Sequence, residues 1–123
     1  MLRKKILLVD DSATILMMEK MILTKGPYHT ITASNGEEAV AKAESESPDL
    51  ILMDVVMPKM DGFEAVRRIR QFATVASMPI IMVTTRGEEH NVETAYEAGC
   101  TDYVTKPIDG SELMAKLRNY LGQ

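Results

Sequence analysis

The chain has 123 residues, 46% of them hydrophobic and 26% charged, the composition of one globular domain rather than of two domains or a disordered tail. At this size folding buries roughly two-thirds of the unfolded surface, enough for a core without disulfides or a structural metal. The single Cys100 excludes an intramolecular disulfide. Fourteen basic against eighteen acidic residues give a net charge of −4, which argues against a surface built to grip nucleic acid or anionic lipid.

At the N-terminus, Arg3-Lys4-Lys5 before Ile6-Leu7-Leu8-Val9 imitates a signal peptide. The apolar run ends after four residues at Asp10-Asp11, too short for that role. No stretch approaches the roughly 18 apolar residues of a membrane span. The expected location is therefore the cytoplasm, without membrane insertion.

Short apolar runs then alternate with longer helical patterns, one βα unit repeated five times in a single domain over residues 1–123. The expected strands are Lys5 to Asp10, Tyr28 to Ala33, Asp49 to Asp54, Pro79 to Thr84 and Thr101 to Thr105. Helices are expected at about Ser12 to Lys25, Gly36 to Ser45, Gly62 to Phe72, Glu88 to Ala98 and Gly110 to Leu121. The first, third and fourth strands are continuously apolar, as parallel strands covered on both faces should be. Asn35-Gly36, Gly26-Pro27, Ser47-Pro48 and Gly99 punctuate the pattern, and Glu37-Glu38 and Glu88-Glu89 fall in first helical turns, where the macrodipole favours acids. Five such units in this length suit an α/β doubly wound sheet, not an eight-fold barrel of roughly 250 residues.

In an open parallel sheet the site lies at the carboxyl ends of the strands. Those ends carry Asp10-Asp11, Asp54, Thr84-Thr85 and Lys106-Pro107. Three converging carboxylates repel one another unless a cation sits among them, and a small hard divalent ion meets that need. Mg²⁺, with Mn²⁺ as a substitute, takes oxygen ligands and commonly shares them with phosphate. A carboxylate can also attack phosphorus to give an aspartyl-phosphate; Lys106 would neutralise the phosphoryl oxygens and Thr84 could donate to them. Asp10-Asp11-Ser12 also reads as a helix N-cap, but two consecutive acids with a third ending a separate apolar strand favour the cation reading.

Lys5-Ile-Leu-Leu-Val-Asp-Asp-Ser12, Asp49-Leu-Ile-Leu-Met-Asp54, Met57-Pro-Lys-Met-Asp-Gly62, Pro79-Ile-Ile-Met-Val-Thr84 and Ala98-Gly-Cys-Thr-Asp-Tyr-Val-Thr-Lys-Pro107 resemble the receiver domain of two-component response regulators, in order and across essentially the whole chain. With no output module after Gln123, the resemblance is to single-domain, CheY-like regulators. It implies a flavodoxin-like (βα)5 fold with strand order 2-1-3-4-5. It further implies Asp54 as phosphoacceptor, Asp10 and Asp11 as the Mg²⁺-binding acids with Asp54, and Val56 as donor of a backbone carbonyl to the metal. Thr84 would be the switch hydroxyl, chosen over Thr85 by the family pattern alone, Tyr103 the switch aromatic, and Lys106 the phosphate-binding lysine before a cis Lys-Pro bond. Implied partners are a histidine kinase or phosphotransfer domain and a downstream protein bound through the fourth helix, fifth strand and fifth helix. No direct binding of nucleic acid is expected, and a monomer or weak dimer is expected. Such a protein modifies itself and is not an enzyme in the turnover sense; chemotaxis or motility is the pathway suggested.

On a helical wheel, Ile15, Met18 and Ile22 share one face of the first helix and Leu16 and Leu23 fall away from it, so Leu16 is expected to belong to an exposed docking patch for the phosphodonor. Val56 and Arg86 lie two residues after Asp54 and Thr84, where the family tunes dephosphorylation; an apolar Val56 cannot orient water, so a long-lived aspartyl-phosphate is expected. His29 and His90 show no metal-ligand spacing, Cys100 is expected to be a small buried hydrophobe, and most of the ten methionines to be core filler. The glycines at 26, 36, 62, 87, 99, 110 and 122 form neither a dinucleotide fingerprint nor a P-loop. The rivals are a flavin-binding flavodoxin-like protein, which would need hydroxyl and amide donors where two acids stand, and a phosphorylation-independent adaptor with the receiver fold.

Overall fold

The computed structural model describes residues 3–72, 77–85 and 90–122, with the backbone alone at 90 and 91. Five βα units follow one another: β1 (Lys4–Val9), α1 (Ala13–Leu23), β2 (Tyr28–Ala33), α2 (Gly36–Glu46), β3 (Leu50–Asp54), α3 (Gly62–Ile69), β4 (Ile80–Thr85), α4 (His90–Ala98), β5 (Asp102–Lys106) and α5 (Gly110–Leu121). The element ends differ from the predicted ones by a few residues. The first helix stops at Leu23 rather than Lys25 and the third at Ile69 rather than Phe72, while Asp10 falls just past its strand. Arg86, Gly87 and the Glu88-Glu89 start of the fourth helix lie outside the described residues.

The strands form one parallel sheet in the order β2-β1-β3-β4-β5. Alternate strand residues feed two cores. Leu7, Val9, Ile51, Met53, Ile80 and Met82 face the small residues of α2 and α3, with Ala95 of α4. Ile6, Leu8, Leu50, Leu52, Ile81 and Val83 face Leu23 of α1 and Leu113 and Leu117 of α5. Coverage on both faces is why these strands read as unbroken apolar runs. The chain steps from β1 outward to β2, then across to β3, so the strand order reverses at β1/β3 and a crevice opens at their carboxyl ends.

Side chains start most of the helices. Ser12, Asn35, Asp61 and Asp109 accept hydrogen bonds from backbone N–H groups of the first turns of α1, α2, α3 and α5, satisfying donors that no helical carbonyl can reach. Gly99, at φ +116°, turns the chain after α4 in a conformation that favours glycine. Two other glycines are required by contact. A Cβ on Gly62 would stand 2.1 Å from the backbone oxygen of Asp54, and one on Gly36 2.4 Å from that of Met60. Gly36 thus presses on the loop 55–61 and Gly62 on the end of β3 that leads into it, and the loop is pinned further by the Gly62 N–H donating to the Val55 carbonyl at 2.8 Å.

Helix α1 corrects the predicted faces. Its inward residues are Glu19 and Leu23, both buried, with Leu16 half-buried against the second core. The exposed apolar side chains are Met17 (64%), Met18 (41%) and Met21 (65%), so Met18 is not core and Leu16 is not a free surface residue. A helix reading Ala-Thr-Ile-Leu-Met-Met-Glu-Lys-Met-Ile-Leu is apolar almost all round, so its pattern does not identify the inward side; the cap at Ser12 and the lie of the sheet decide it. Cys100 is buried as expected, and burial pushes its thiol up to about 11.

Candidate functional site

Val9 and Met53 pair across β1 and β3, so the residues that follow them, Asp10 and Asp54, come out side by side at the crevice. Asp10 is 1% and Asp54 5% exposed, whereas Asp11 is exposed. Asp10 divides its two oxygens. Oδ1 accepts the Ser12 N–H at 2.9 Å, and Oδ2 is buried with no hydrogen-bond partner among the described residues. The capping and cation readings of Asp10-Asp11-Ser12 are thus both in part correct: Ser12 caps the helix, Asp10 orders the turn, and one Asp10 oxygen is left to the crevice.

Lys106 reaches back from the end of β5 and places Nζ 3.2 Å from Asp54 Oδ1 and 3.4 Å from Asp10 Oδ2. The Lys106–Pro107 bond that follows is cis. Burial, and next the Asp10 carboxylate, push the Asp54 carboxyl up to about 6, against the pull of Lys106. Burial alone would lower the Lys106 ammonium, but the carboxylates of Asp54 and Asp10 outweigh it and hold Lys106 above its ordinary value.

Carboxylate oxygens of Asp10, Asp11 and Asp54 lie within 4.8 Å of one another. Three hard oxygen donors at that spacing, one of them a buried Asp10 oxygen without a hydrogen bond, fit a small divalent cation such as Mg²⁺. Val56 follows in the loop with its side chain 71% exposed. Thr84 is buried and directs its hydroxyl to the Val104 carbonyl at 3.5 Å, while Thr85 is exposed and pairs in register with Lys106. Tyr103 is half-buried against the first core, edge-to-face with Tyr96 at a centroid distance of 6.3 Å. Asp10, Asp11, Asp54 and Lys106 therefore meet at one point. Thr84 is on the neighbouring strand, Tyr103 lies farther back along β5, and Leu16 belongs to the helix α1 packing.

A family model for the response regulator receiver domain matches residues 6–118. The chain belongs to the receiver domain family. Among similar receivers, PilH of Pseudomonas aeruginosa is 38% identical over 95% of this chain and 97% of its own length. The alkaline phosphatase synthesis regulator PhoP of Bacillus subtilis is 42% identical over 98% of this chain, which spans 49% of PhoP. This receiver thus covers about half the length of several curated transcriptional regulators that it matches. Chemotaxis protein CheY4 of Vibrio cholerae superposes with a TM-score of 0.89 at 35% identity, covering 96% of this chain and 98% of that one. The receiver domain of a sensor histidine kinase from P. aeruginosa, solved with a magnesium ion coordinated in its active-site cleft, gives a TM-score of 0.91 at 32% identity, covering 98% and 99%. Among the described residues no helix is long and apolar enough to cross a membrane.

One buried acid on α1 escaped the sequence reading. Glu19, 1% exposed on the inner face of α1, has neither carboxyl oxygen hydrogen-bonded among the described residues. Burial pushes it up to about 8; Asp10 adds to the shift, Lys106 opposes it and Asp54 adds less.

Proposed function

We propose that this receiver accepts a phosphoryl group from a phosphohistidine on Asp54, in a Mg²⁺-dependent step, and thereby changes its affinity for a downstream protein. The observation that carries this reading is the convergence of buried Asp54 with Lys106 at 3.2 Å and with Asp10 and Asp11 within 4.8 Å. An Asp54 oxygen attacks phosphorus and forms the P–O bond. The P–N bond to imidazole breaks, and the nitrogen departs with the electron pair. Asp10, Asp11 and Asp54, with the Val56 carbonyl, would hold the cation, which when bound neutralises charge on the phosphoryl oxygens. Lys106 stabilises the same charge from the other side, aimed there in advance by its carboxylate contacts. The buried Thr84 hydroxyl leaves the Val104 carbonyl for a phosphoryl oxygen, and Tyr103 follows on β5.

In this reading the protein catalyses its own modification and turns over no external substrate. The donor docks across α1, where Met17, Met18 and Met21 present flexible apolar side chains; the downstream partner binds α4, β5 and α5. The likeness to CheY4 supports a chemotaxis-type output in the cytoplasm. Incubation with Mg²⁺ and acetyl phosphate is expected to add one phosphoryl mass that hydroxylamine removes, as an acyl phosphate requires. A wild type left unmodified would overturn the reading.

Val56 bears on phosphate lifetime. Its exposed apolar side chain cannot hydrogen-bond an attacking water, so Val56→Asn is expected to shorten the aspartyl-phosphate half-life severalfold, measured as decay of the modified mass. Equal half-lives would show that Val56 does not set the lifetime.

A further inference from the structure

Tyr103 and Thr84 share one side of the sheet. Register pairs Met82 with Tyr103 and Thr84 with Thr105, so Tyr103 stands diagonally behind Thr84 on the same face. That is the face of the first core, against which Tyr103 is half-buried. Helix α4 covers it with two small buried residues, Ala95 and Ala98. Between them Tyr96 carries a large ring and is 47% exposed. It meets the Tyr103 ring edge-to-face, at a centroid distance of 6.3 Å and an interplanar angle of 90°.

The backbone beneath the Tyr103 ring is tied down. Asp102 Oδ1 accepts the Tyr103 N–H at 2.7 Å. Its Oδ2 accepts from Lys116 Nζ at 3.0 Å and from the Tyr120 hydroxyl at 2.8 Å, both on α5. With β5 also paired to β4 in register, a response of Tyr103 to the crevice is a turn of its side chain rather than a shift of its strand. What bounds that ring on the exposed side is Tyr96. An edge-to-face pair favours the state that holds it by a factor of about three to ten, too little to lock a ring in place and enough to bias it.

Resting on the reading of Asp54 as phosphoacceptor and of Tyr103 as the ring that follows Thr84, we propose that Tyr96 is a positioning residue for Tyr103, a brace on α4 that holds the ring in its resting orientation. When the Thr84 hydroxyl leaves the Val104 carbonyl, Tyr103 follows it toward the interior and gives up the contact with the exposed Tyr96. The contact therefore stabilises the resting state alone, and it sets how much of the population switches for a given occupancy of the crevice. By linkage, removing it raises the affinity of the crevice for a phosphoryl analogue by the factor it contributed.

The test titrates beryllofluoride, with saturating Mg²⁺, into chains labelled with 3-fluorotyrosine. Four tyrosines and no tryptophan give a sparse fluorine spectrum, and the Tyr103 resonance is identified by its loss in Tyr103→Phe. In Tyr96→Ala the Tyr103 resonance of the free chain is expected to lie closer to its beryllofluoride-bound position, and beryllofluoride to bind about three- to tenfold more tightly than to wild type. Truncating a side chain that serves packing alone would leave that affinity unchanged or weaken it. Tyr96→Phe, which keeps the ring, should bind within about 1.5-fold of wild type, and in a Tyr103→Leu background Tyr96→Ala should change the affinity no further. Unchanged or weaker binding by Tyr96→Ala, a phenylalanine variant that behaves as the alanine one does, or an equal effect of Tyr96→Ala in the Tyr103→Leu background would each overturn the proposal. A wild type that binds no beryllofluoride overturns the underlying reading of the site instead.

Discussion

Replacing Lys106 with alanine should slow phosphorylation by acetyl phosphate about 10²-fold at saturating Mg²⁺, the scale of losing one aligned donor to a charged transition state. The same substitution should also destabilise the metal-free protein. Lys106 is the cation paired with Asp10 Oδ2 and Asp54 Oδ1, and both acids are buried. Without it the two carboxylates face each other unopposed, and the carboxyl of Asp54, already pushed up to about 6, rises further. Lys106 is itself part-exposed, so solvent screens the pair and the loss should be about 1–3 kcal/mol rather than the larger cost of breaking a fully buried pair. Adding Mg²⁺ should restore most of that stability and little of the rate, because the cation neutralises the acids but does not replace the lysine as a donor to phosphoryl oxygens. Thermal melts with and without Mg²⁺ beside phosphorylation time courses check both halves. A Lys106→Ala chain that is stable without metal and phosphorylated at the wild-type rate would remove Lys106 from the mechanism.

The second large effect is a linkage between pH and Mg²⁺. Asp54 is raised from 3.8 to about 6 and Glu19 from 4.5 to about 8, both chiefly by burial. An acid whose folded value lies above its unfolded value keeps a proton that the unfolded chain has released, so the folded state is favoured on the acid side. That stability is complete below about pH 4 and is lost as pH rises through about 6 for Asp54 and about 8 for Glu19. From these two groups the metal-free protein should become less stable between pH 5 and 8. Mg²⁺ competes with the Asp54 proton, so its stabilising effect should grow over the same interval. At a hundredfold excess over Kd the gain is about 2.7 kcal/mol, roughly 10 °C in a domain of this size. Melting curves at pH 5, 6, 7 and 8, with EDTA or with excess Mg²⁺, measure it. A Mg²⁺ shift that is constant across the series, or largest at pH 5, would contradict the raised Asp54.

Much of this was legible in the residues. Leu50-Ile51-Leu52-Met53 and Ile80-Ile81-Met82-Val83 announce strands covered on both faces, and the two cores bear that out. The convergence of Asp10, Asp11, Asp54 and Lys106 follows once polar residues end those strands, because parallel pairing in register delivers them to one edge. Helix ends were less legible, since Thr24 and Lys25 are helix-compatible and the chain leaves the helix through its turn toward Tyr28. Glu19 was missed for a physical reason. On a helix apolar nearly all round, the wheel grouped Ile15, Met18 and Ile22 on one face; Ile22 does pack on the second core, but Met18 is exposed and the buried Glu19 and Leu23 fall outside that group. An acid three residues after Leu16 and four before Leu23 was the available signal, and it becomes visible only when the inward face is known.

The paired glycines beside the acceptor loop separate two properties that could otherwise vary together. Because Gly62 and Gly36 leave no room for a side chain against the backbone of Asp54 and Met60, the Asp54 backbone is held by close backbone contact. Val56 points outward from that loop. If Asp54 accepts the phosphoryl group as proposed, substitutions at Val56 would reset how long the signal persists while leaving the Asp54 backbone where it is, so duration could be tuned independently of whether the signal is received at all.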